Sequence, residues 1–318
     1  VKRDDLASPI YGGTKLRALE YFLGAARAAG AAEVATLGPA GSHHVLATAL
    51  FARREGFGVR AALFPQPPTE ETRELPAALH ALGVRVVRAP SAALLWWAAA
   101  RARFARGADG RLPFWIPAGG ASPLGALGAV RGGLELAADV RAGRLPPPDR
   151  VVVAAGSCGA AAGLLVGTAL GGLRTEIVAV RVTPRVVASR SRIMALARGA
   201  LRAATTAARA GDPTFTPLVA GPLVLGPRLV VEHGRYGAGY AEPSSDVAAL
   251  TELAATDGVR LEPTYTAKAF GAALAPTSRG KVVVFWNTFA GVSPSAAVRA
   301  ARDVHAEPAI APATPGAG

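Results

Sequence analysis

The chain has 318 residues, 51% of them apolar, and a formal net charge of +13, a length that suggests two domains around a sizeable buried core. The charge invites nucleic acid as a partner, but the arginines are scattered over predicted helices and loops, with no dense basic run and few interleaved aromatics, which argues against a nucleic-acid module. A single cysteine, Cys158, excludes an internal disulfide framework and a multi-cysteine zinc site and fits a reducing cytoplasm, while no apolar run reaches the roughly 18 residues a membrane helix needs.

Residues 1–6 read as the end of a strand, so part of the N-terminus is expected to lie upstream. From Thr14 to Ala29 apolar residues recur at helical spacing, and Gly30 stops the run. A strand over 33–37 and a turn-rich link from Gly38 to His44 lead into a helix over 42–55. The alternation continues with strand 59–64, helix 70–82, strand 84–87, helix 92–106, strand 114–116 and helix 122–140. Arg144-Leu145-Pro146-Pro147-Pro148 is the strongest interior linker signal. A second series follows: strand 150–155, helix 159–170, strand 176–182, helix 187–210, strand 229–232, helices 245–256 and 264–273, strand 281–286 and helix 293–305. Strand and helix alternating throughout predict an α/β fold with parallel sheets flanked by helices. The tail over 307–318, rich in Pro, Ala and Gly, is expected to be disordered.

Two stretches carry chemistry. In Tyr11-Gly12-Gly13-Thr14-Lys15-Leu16-Arg17 a glycine pair delivers one of only four lysines (Lys2, Lys15, Lys268, Lys281) to the first turn of a helix. Arginine cannot form an imine because its guanidinium stays protonated; a lysine near the positive end of a helix and partly desolvated can. Lys15 is thus either a Schiff-base lysine or a surface residue at a helix start. Val151-Val152-Val153-Ala154-Ala155-Gly156-Ser157-Cys158-Gly159-Ala160 is a β-branched strand running through small residues into a helix. Such a turn is either a phosphate cradle of backbone N–H groups or a tight turn without ligand. Its spacing is neither the dinucleotide fingerprint nor a P-loop. A phosphate loop together with a lone lysine on a glycine turn suggests pyridoxal phosphate.

With both stretches in view, the chain resembles the pyridoxal-phosphate enzymes that include 1-aminocyclopropane-1-carboxylate deaminase and D-cysteine desulfhydrase, within the tryptophan synthase β-like fold (fold type II). The resemblance runs from Lys2 to about Pro294. Lys2-Arg3-Asp4-Asp5-Leu6 is similar to the family's K-R-D-D-L, and Gly12 to Glu20 to its G-G-N-K-x-R-K-L-E, whose lysine carries the cofactor. Gly41-Ser42-His43-His44 stands where the family has G-S-N-H or Q-S-N-H. Gly156-Ser157-Cys158-Gly159-Ala160 resembles its G-S-G-G-T phosphate loop, Gly239-Tyr240 the start of its G-Y-G, Leu261 to Lys268 its L-D-P-V-Y-T-G-K, and Asn287-Thr288-Phe289-Ala290-Gly291 its closing H-T-G-G.

The resemblance implies that Lys15 carries the cofactor and acts as base at the substrate α-carbon, that Ser42 helps bind the substrate carboxylate and shuttles a proton, and that Tyr240 and Tyr265 approach the substrate. His43 would stand in for the asparagine that supports the cofactor ring hydroxyl, and Thr266 and Thr288 would face the pyridine edge. Residues Gly156, Ser157, Cys158, Gly159 and Ala160 would hold the phosphate. His44 is either packed or in direct contact, and Glu262 reads as helix-start chemistry. A threonine at Thr266, where cyclopropane deaminases carry glutamate, favours the desulfhydrase-like branch. The implied reaction is deamination with α,β-elimination of a small amino acid, giving a 2-oxo acid and ammonia. Cyclopropane deamination is the alternative, as is a catalytically weakened cofactor-binding protein, since Thr14, His43, Cys158, Ala160 and Phe289 all depart from the family pattern. A discontinuous large domain (1–16 and 126–306), a small domain (17–125) and a homodimer are expected.

Overall fold

Residues 1–67, 70–215, 224–240, 242 and 244–306 are described by a computed structural model, so the expected tail over 307–318 lies outside the described residues. Short strands rich in valine and alanine, buried on both faces, require a helix layer on each side. The chain supplies this twice. One sheet holds β2 (Glu33–Pro39), β3 (Gly58–Phe64), β4 (Arg85–Arg88) and β5 (Phe114–Trp115) in the order β4-β3-β2-β5. The other holds β1 (Lys2–Arg3), β6 (Arg150–Ala155), β7 (Glu176–Arg181), β8 (Leu229–Glu232) and β9 (Val283–Asn287) in the order β1-β9-β6-β7-β8. All of these pairings are parallel, as the alternation predicts.

The helices are α1 (Thr14–Ala28), α2 (His43–Arg54), α3 (Glu70–Ala81), α4 (Leu95–Phe104), α5 (Pro123–Arg141), α6 (Gly159–Leu170), α7 (Arg190–Arg209), α8 (Val247–Thr256), α9 (Thr266–Ala273) and α10 (Pro294–Ala306). Helices α2 and α5 begin one residue after the serines expected to open them, because Ser42 and Ser122 are caps whose Oγ atoms accept from the Val45 and Gly125 amides. Helix α4 stops short of Arg106 because the buried Arg60 guanidinium donates to the Ala105 and Arg106 carbonyls. Close approach of α5 and α6 needs glycine: a Cβ on Gly163 or Gly167 would come 2.3 Å from the Ala126 carbonyl oxygen or 2.1 Å from that of Val130. Among the described residues no helix is long and apolar enough to cross a membrane.

Two cores result. One lies between the five-stranded sheet and α5, α6 and α7; the other joins α1, α2 and α3 to the four-stranded sheet. Helix α10 packs on the second, with Ala297 and Val298 beside Leu75 and Leu79, and the Ser295 amide donates to Glu74. Ile10 and Tyr11 belong to it too. The expected division placed these segments in the large unit, so the chain ends cross between the two cores.

That crossing is held by one buried ion pair. The Asp4 carboxylate, 1% exposed, accepts from Arg17 Nε at 2.9 Å and from Trp286 Nε1 at 2.7 Å. Arg17 also pairs with Glu135 at 2.9 Å and lies over the Trp286 ring, 5.7 Å from its centroid. The Gly13 amide donates to the Asp4 carbonyl at 2.7 Å and the Thr14 amide to the Thr288 carbonyl at 3.3 Å. Gly13 has φ 90°, and a Cβ there would lie 2.9 Å from the Thr288 oxygen, so no other residue fits. Asp4→Ala removes the acceptor of both Arg17 and Trp286; it is expected to cost about 3–5 kcal/mol in chemical denaturation, and a loss below about 1 kcal/mol would show that the pair does not hold the two ends together.

Candidate active site

The carboxyl ends of both sheets open onto one cavity of about 490 Å³. Leu37 reaches it from β2, Phe64 from β3, Ala154 and Gly156 from β6, Thr183 from beyond β7 and Thr288 from beyond β9. At such ends loops and helix N-termini present unpaired N–H groups, so this is where an α/β protein holds an anion.

Lys15, in the first turn of α1, lines the cavity, and burial pushes its amine below the ordinary lysine range. His44 sits beside it, 4% exposed, with Nε2 3.0 Å from Thr36 Oγ1. Burial, and then the charge of Lys15, push this imidazole down to about 3, so His44 is neutral at physiological pH. Ser42 lines the cavity from the cap of α2. Its Oγ accepts from the Val45 amide, which leaves the hydroxyl hydrogen free to donate. His43 Nδ1 is 2.5 Å from Tyr11 Oη, and the imidazole meets the edge of the Phe289 ring at 5.9 Å. All three of these residues line the cavity.

Opposite in sequence, β6 runs through Gly156, Ser157, Cys158, Gly159 and Ala160 into α6, and all five line the cavity. Thr183 Oγ1 donates to the Gly156 carbonyl at 3.0 Å, and Ser157 Oγ to that of Gly119 at 3.3 Å. A Cβ on Gly156 would come 2.9 Å from the Tyr265 ring, so the bare backbone is what lets ring and loop meet. Cys158 caps α6 with φ 75°, and among the described residues it is the one non-glycine residue with positive φ. Its thiol turns away from the loop to the Val187 carbonyl at 3.5 Å, 2% exposed, and burial pushes it up to about 11. It is therefore a packed thiol in a strained turn and not a nucleophile.

Tyr240 and Tyr265 line the cavity as a pair, their hydroxyl oxygens 2.7 Å apart. Burial, reinforced by Tyr240, raises Tyr265 well above the ordinary phenol range, so it remains a proton donor. Glu262 accepts from the amides of Thr264, Tyr265 and Thr266 at 2.7–2.8 Å. This is the helix-start role read from the sequence, although the residue also lines the cavity. Thr266 is placed differently from expectation. It is 1% exposed, is absent from the cavity wall, and its hydroxyl accepts from the Glu262 amide at 2.8 Å; it braces the cap, whereas Thr288 does reach the cavity. Sequence reasoning missed Gln66 and Arg192, which also line it. Gln66 stands between two prolines outside any motif, and Arg192 is one arginine among many.

These residues fit pyridoxal phosphate: a desolvated amine for its aldehyde, and at the start of α6 a side-chain-poor turn for its phosphate, beside the cation of Arg192. Fold and site together define an α/β protein whose cavity suits an aldehyde cofactor beside a desolvated lysine. The chain belongs to the pyridoxal-phosphate dependent enzyme family, whose model matches residues 1–288. It is 40% identical to the nocardicin C-9' epimerase of Nocardia uniformis subsp. tsuyamanensis over 296 residues, covering 91% of this chain and 85% of the relative. It is 30% identical to a D-cysteine desulfhydrase of Klebsiella pneumoniae over 278 residues, covering 85% and 78%. The crystal structure of an ACC (1-aminocyclopropane-1-carboxylate) deaminase homologue superposes with a TM-score of 0.71 at 27% identity, covering 89% of this chain and 81% of that one. The fold is thus fold type II, and the cofactor is pyridoxal phosphate.

Two outcomes follow from the local geometry. The unfolded His44 takes up a proton near pH 6.5 and the folded one only near 3, so its contribution to stability is complete above about 6.5 and is lost as pH falls towards 3. Thermal melts across that range should show His44→Gln losing less stability on acidification than the wild type. At Cys158, glycine relieves a left-handed backbone that costs about 1–2 kcal/mol but gives up a buried side chain. Cys158→Gly is accordingly expected to stay within about 1 kcal/mol of the wild type, while β-branched Cys158→Val loses more than about 2 kcal/mol in denaturant titrations.

Proposed function

We propose that this enzyme removes the α-proton of a small amino acid and carries the reaction on to α,β-elimination, in which the β-carbon loses its substituent and the resulting imine takes up water to release a 2-oxo acid and ammonia, a reaction of the kind the name D-cysteine desulfhydrase gives for its relative. The observation that carries this reading is the convergence on one cavity of a desolvated Lys15 amine, the loop 156–160 and the Tyr240–Tyr265 pair, of which Tyr265 is held as a phenol by burial. When bound, the cofactor supplies an electron sink for the pair left at the α-carbon. Lys15 would hold it, and its amine, pushed towards neutrality by burial, is the base for the α-proton. Ser42 donates to the substrate carboxylate at the N-terminus of α2, where the helix end favours a negative charge. Tyr265, held as a phenol by burial, protonates the departing group, and Tyr240 orients it. His43, bonded to Tyr11, and Thr288, which lines the same cavity, would help hold the cofactor ring. Opening of a cyclopropane ring is the close variant of this chemistry. A large unit built from 1–16 and 126–306 whose ends reach across to the core of the smaller one, a cytoplasmic setting and a homodimer belong to the same reading.

A second reading, epimerisation, is favoured by the 40% identity to the nocardicin epimerase. It starts with the same proton removal and ends with reprotonation from another group, for which the Tyr240–Tyr265 pair is a source. Lys15→Ala is expected to abolish the visible absorbance of the bound cofactor. With a panel of D- and L-amino acids in heavy water, ammonia and 2-oxo acid indicate elimination, and α-deuterium in the opposite enantiomer without ammonia indicates epimerisation. A cofactor retained with neither outcome for any member would overturn both and leave a cofactor-binding protein.

A further inference from the structure

We propose that Lys268 is a positioning residue, which holds the segment 233–240 against α9 and so fixes Tyr240 opposite Tyr265; the inference rests on the roles proposed above for these two tyrosines. Lys268 is one of only four lysines in the chain and is fully buried, 0% exposed. Among the described residues its one hydrogen bond runs from Nζ to the Tyr236 carbonyl at 3.0 Å, and it joins no ion pair. A buried ammonium with a single neutral acceptor costs stability that an apolar side chain of the same length would not. What it supplies is a bond between two elements.

Those elements carry the two phenols of the cavity. Tyr265 stands at the N-cap of α9, and Lys268 follows three residues later on the same face of the first turn. Tyr236 precedes Tyr240 by four residues, and the Tyr240 hydroxyl oxygen is 2.7 Å from that of Tyr265. The link between Tyr236 and Tyr240 is Gly237-Ala238-Gly239, with Gly237 at φ 72°, so the local backbone does little to fix where Tyr240 goes. Ahead of the link, the Arg181 guanidinium lies 4.1 Å from the centroid of the Tyr236 ring, and its Nε donates to His233 Nδ1 at 2.9 Å. Arg181 thus fixes these side chains to β7, whereas the Lys268 bond ties the backbone to the helix that carries Tyr265. The same helix leaves room for the segment at Gly271, where a Cβ would come 2.2 Å from Arg235 Nη1.

The test uses the cofactor-loaded enzyme, isotope-labelled at the ring ζ-carbon of tyrosine, so that NMR gives one signal for each of the five tyrosines. Tyr240→Phe removes the hydroxyl contact and is expected to shift the Tyr265 signal. Lys268→Met should shift that signal in the same direction, should not move it further in the Tyr240→Phe background, and should leave Tyr11 and Tyr21, which pack elsewhere, in place. With any amino acid that the enzyme transforms, each single variant is expected to lower kcat at least about tenfold with KM within about twofold. The double variant should be no slower than Tyr240→Phe to within about twofold, whereas a lysine that only stabilises the fold would add its own loss. An unmoved Tyr265 signal in Lys268→Met, a further shift in the Tyr240→Phe background, equal movement of Tyr11 and Tyr21, or additive losses would overturn the assignment. The expected shifts with kcat unchanged in both variants would leave Lys268 holding Tyr240 and remove the tyrosine pair from the proposed reaction. Absence of any transformed amino acid would overturn that reaction, and the Tyr265 signal by itself would then decide for or against Lys268.

Discussion

The bond between Asp4 and Arg17 is the constraint on which the site depends. Lys15 is two residues from Arg17, and its helix begins at a glycine pinned to the Asp4 carbonyl and pressed against the backbone of Thr288 and Phe289. Removing a carboxylate from water is costly, and here the cost is offset only in part by two directional donors, Arg17 Nε and Trp286 Nε1, with the guanidinium further neutralised by Glu135; burial still holds the Asp4 carboxyl above its usual range. Such a contact has one geometry. It sets the start of α1 relative to the five-stranded sheet, and with it the reach of the lysine amine.

Around that anchor the cavity sorts its titratable groups by burial. Lys15 is pushed towards the neutral amine, His44 is locked neutral, and Tyr265 is held protonated. A group pushed towards the unprotonated form and one held protonated can thus coexist in one cavity at neutral pH. The loop 156–160 contributes backbone and no side-chain charge to the same cavity.

Much of this was legible in the sequence. Valine- and alanine-rich runs gave strands buried on both faces, and the order of short motifs brought Lys15, Ser42, Tyr240, Tyr265 and the loop 156–160 to one place. What escaped depended on distant partners. Arg60 ends α4 through carbonyls some 45 residues away, which no local pattern announces. Thr266 was expected to face the cofactor, but its backbone neighbour Glu262 needs the hydroxyl for a cap. Cys158 sits in a conformation that local propensity assigns to glycine, and only the core behind it explains where its thiol goes. Gln66 and Arg192 lie outside the motifs, and their types are unremarkable until the walls of a cavity surround them. The packing of α10 on α2 and α3 likewise reflects which apolar faces remained uncovered.

The pairing of the two-residue β1 with β9 joins Lys2 to Trp286 and Arg3 to Asn287. The contacts that position Lys15 therefore close a loop of nearly the whole chain, the most expensive kind of contact for a folding polypeptide to make early. On a ribosome the four-stranded sheet and its helices are complete long before β9 exists. The Thr14 amide meets its Thr288 partner only when the segment after β9 is in place, so a partly made chain has Lys15 but not the full setting that buries its amine.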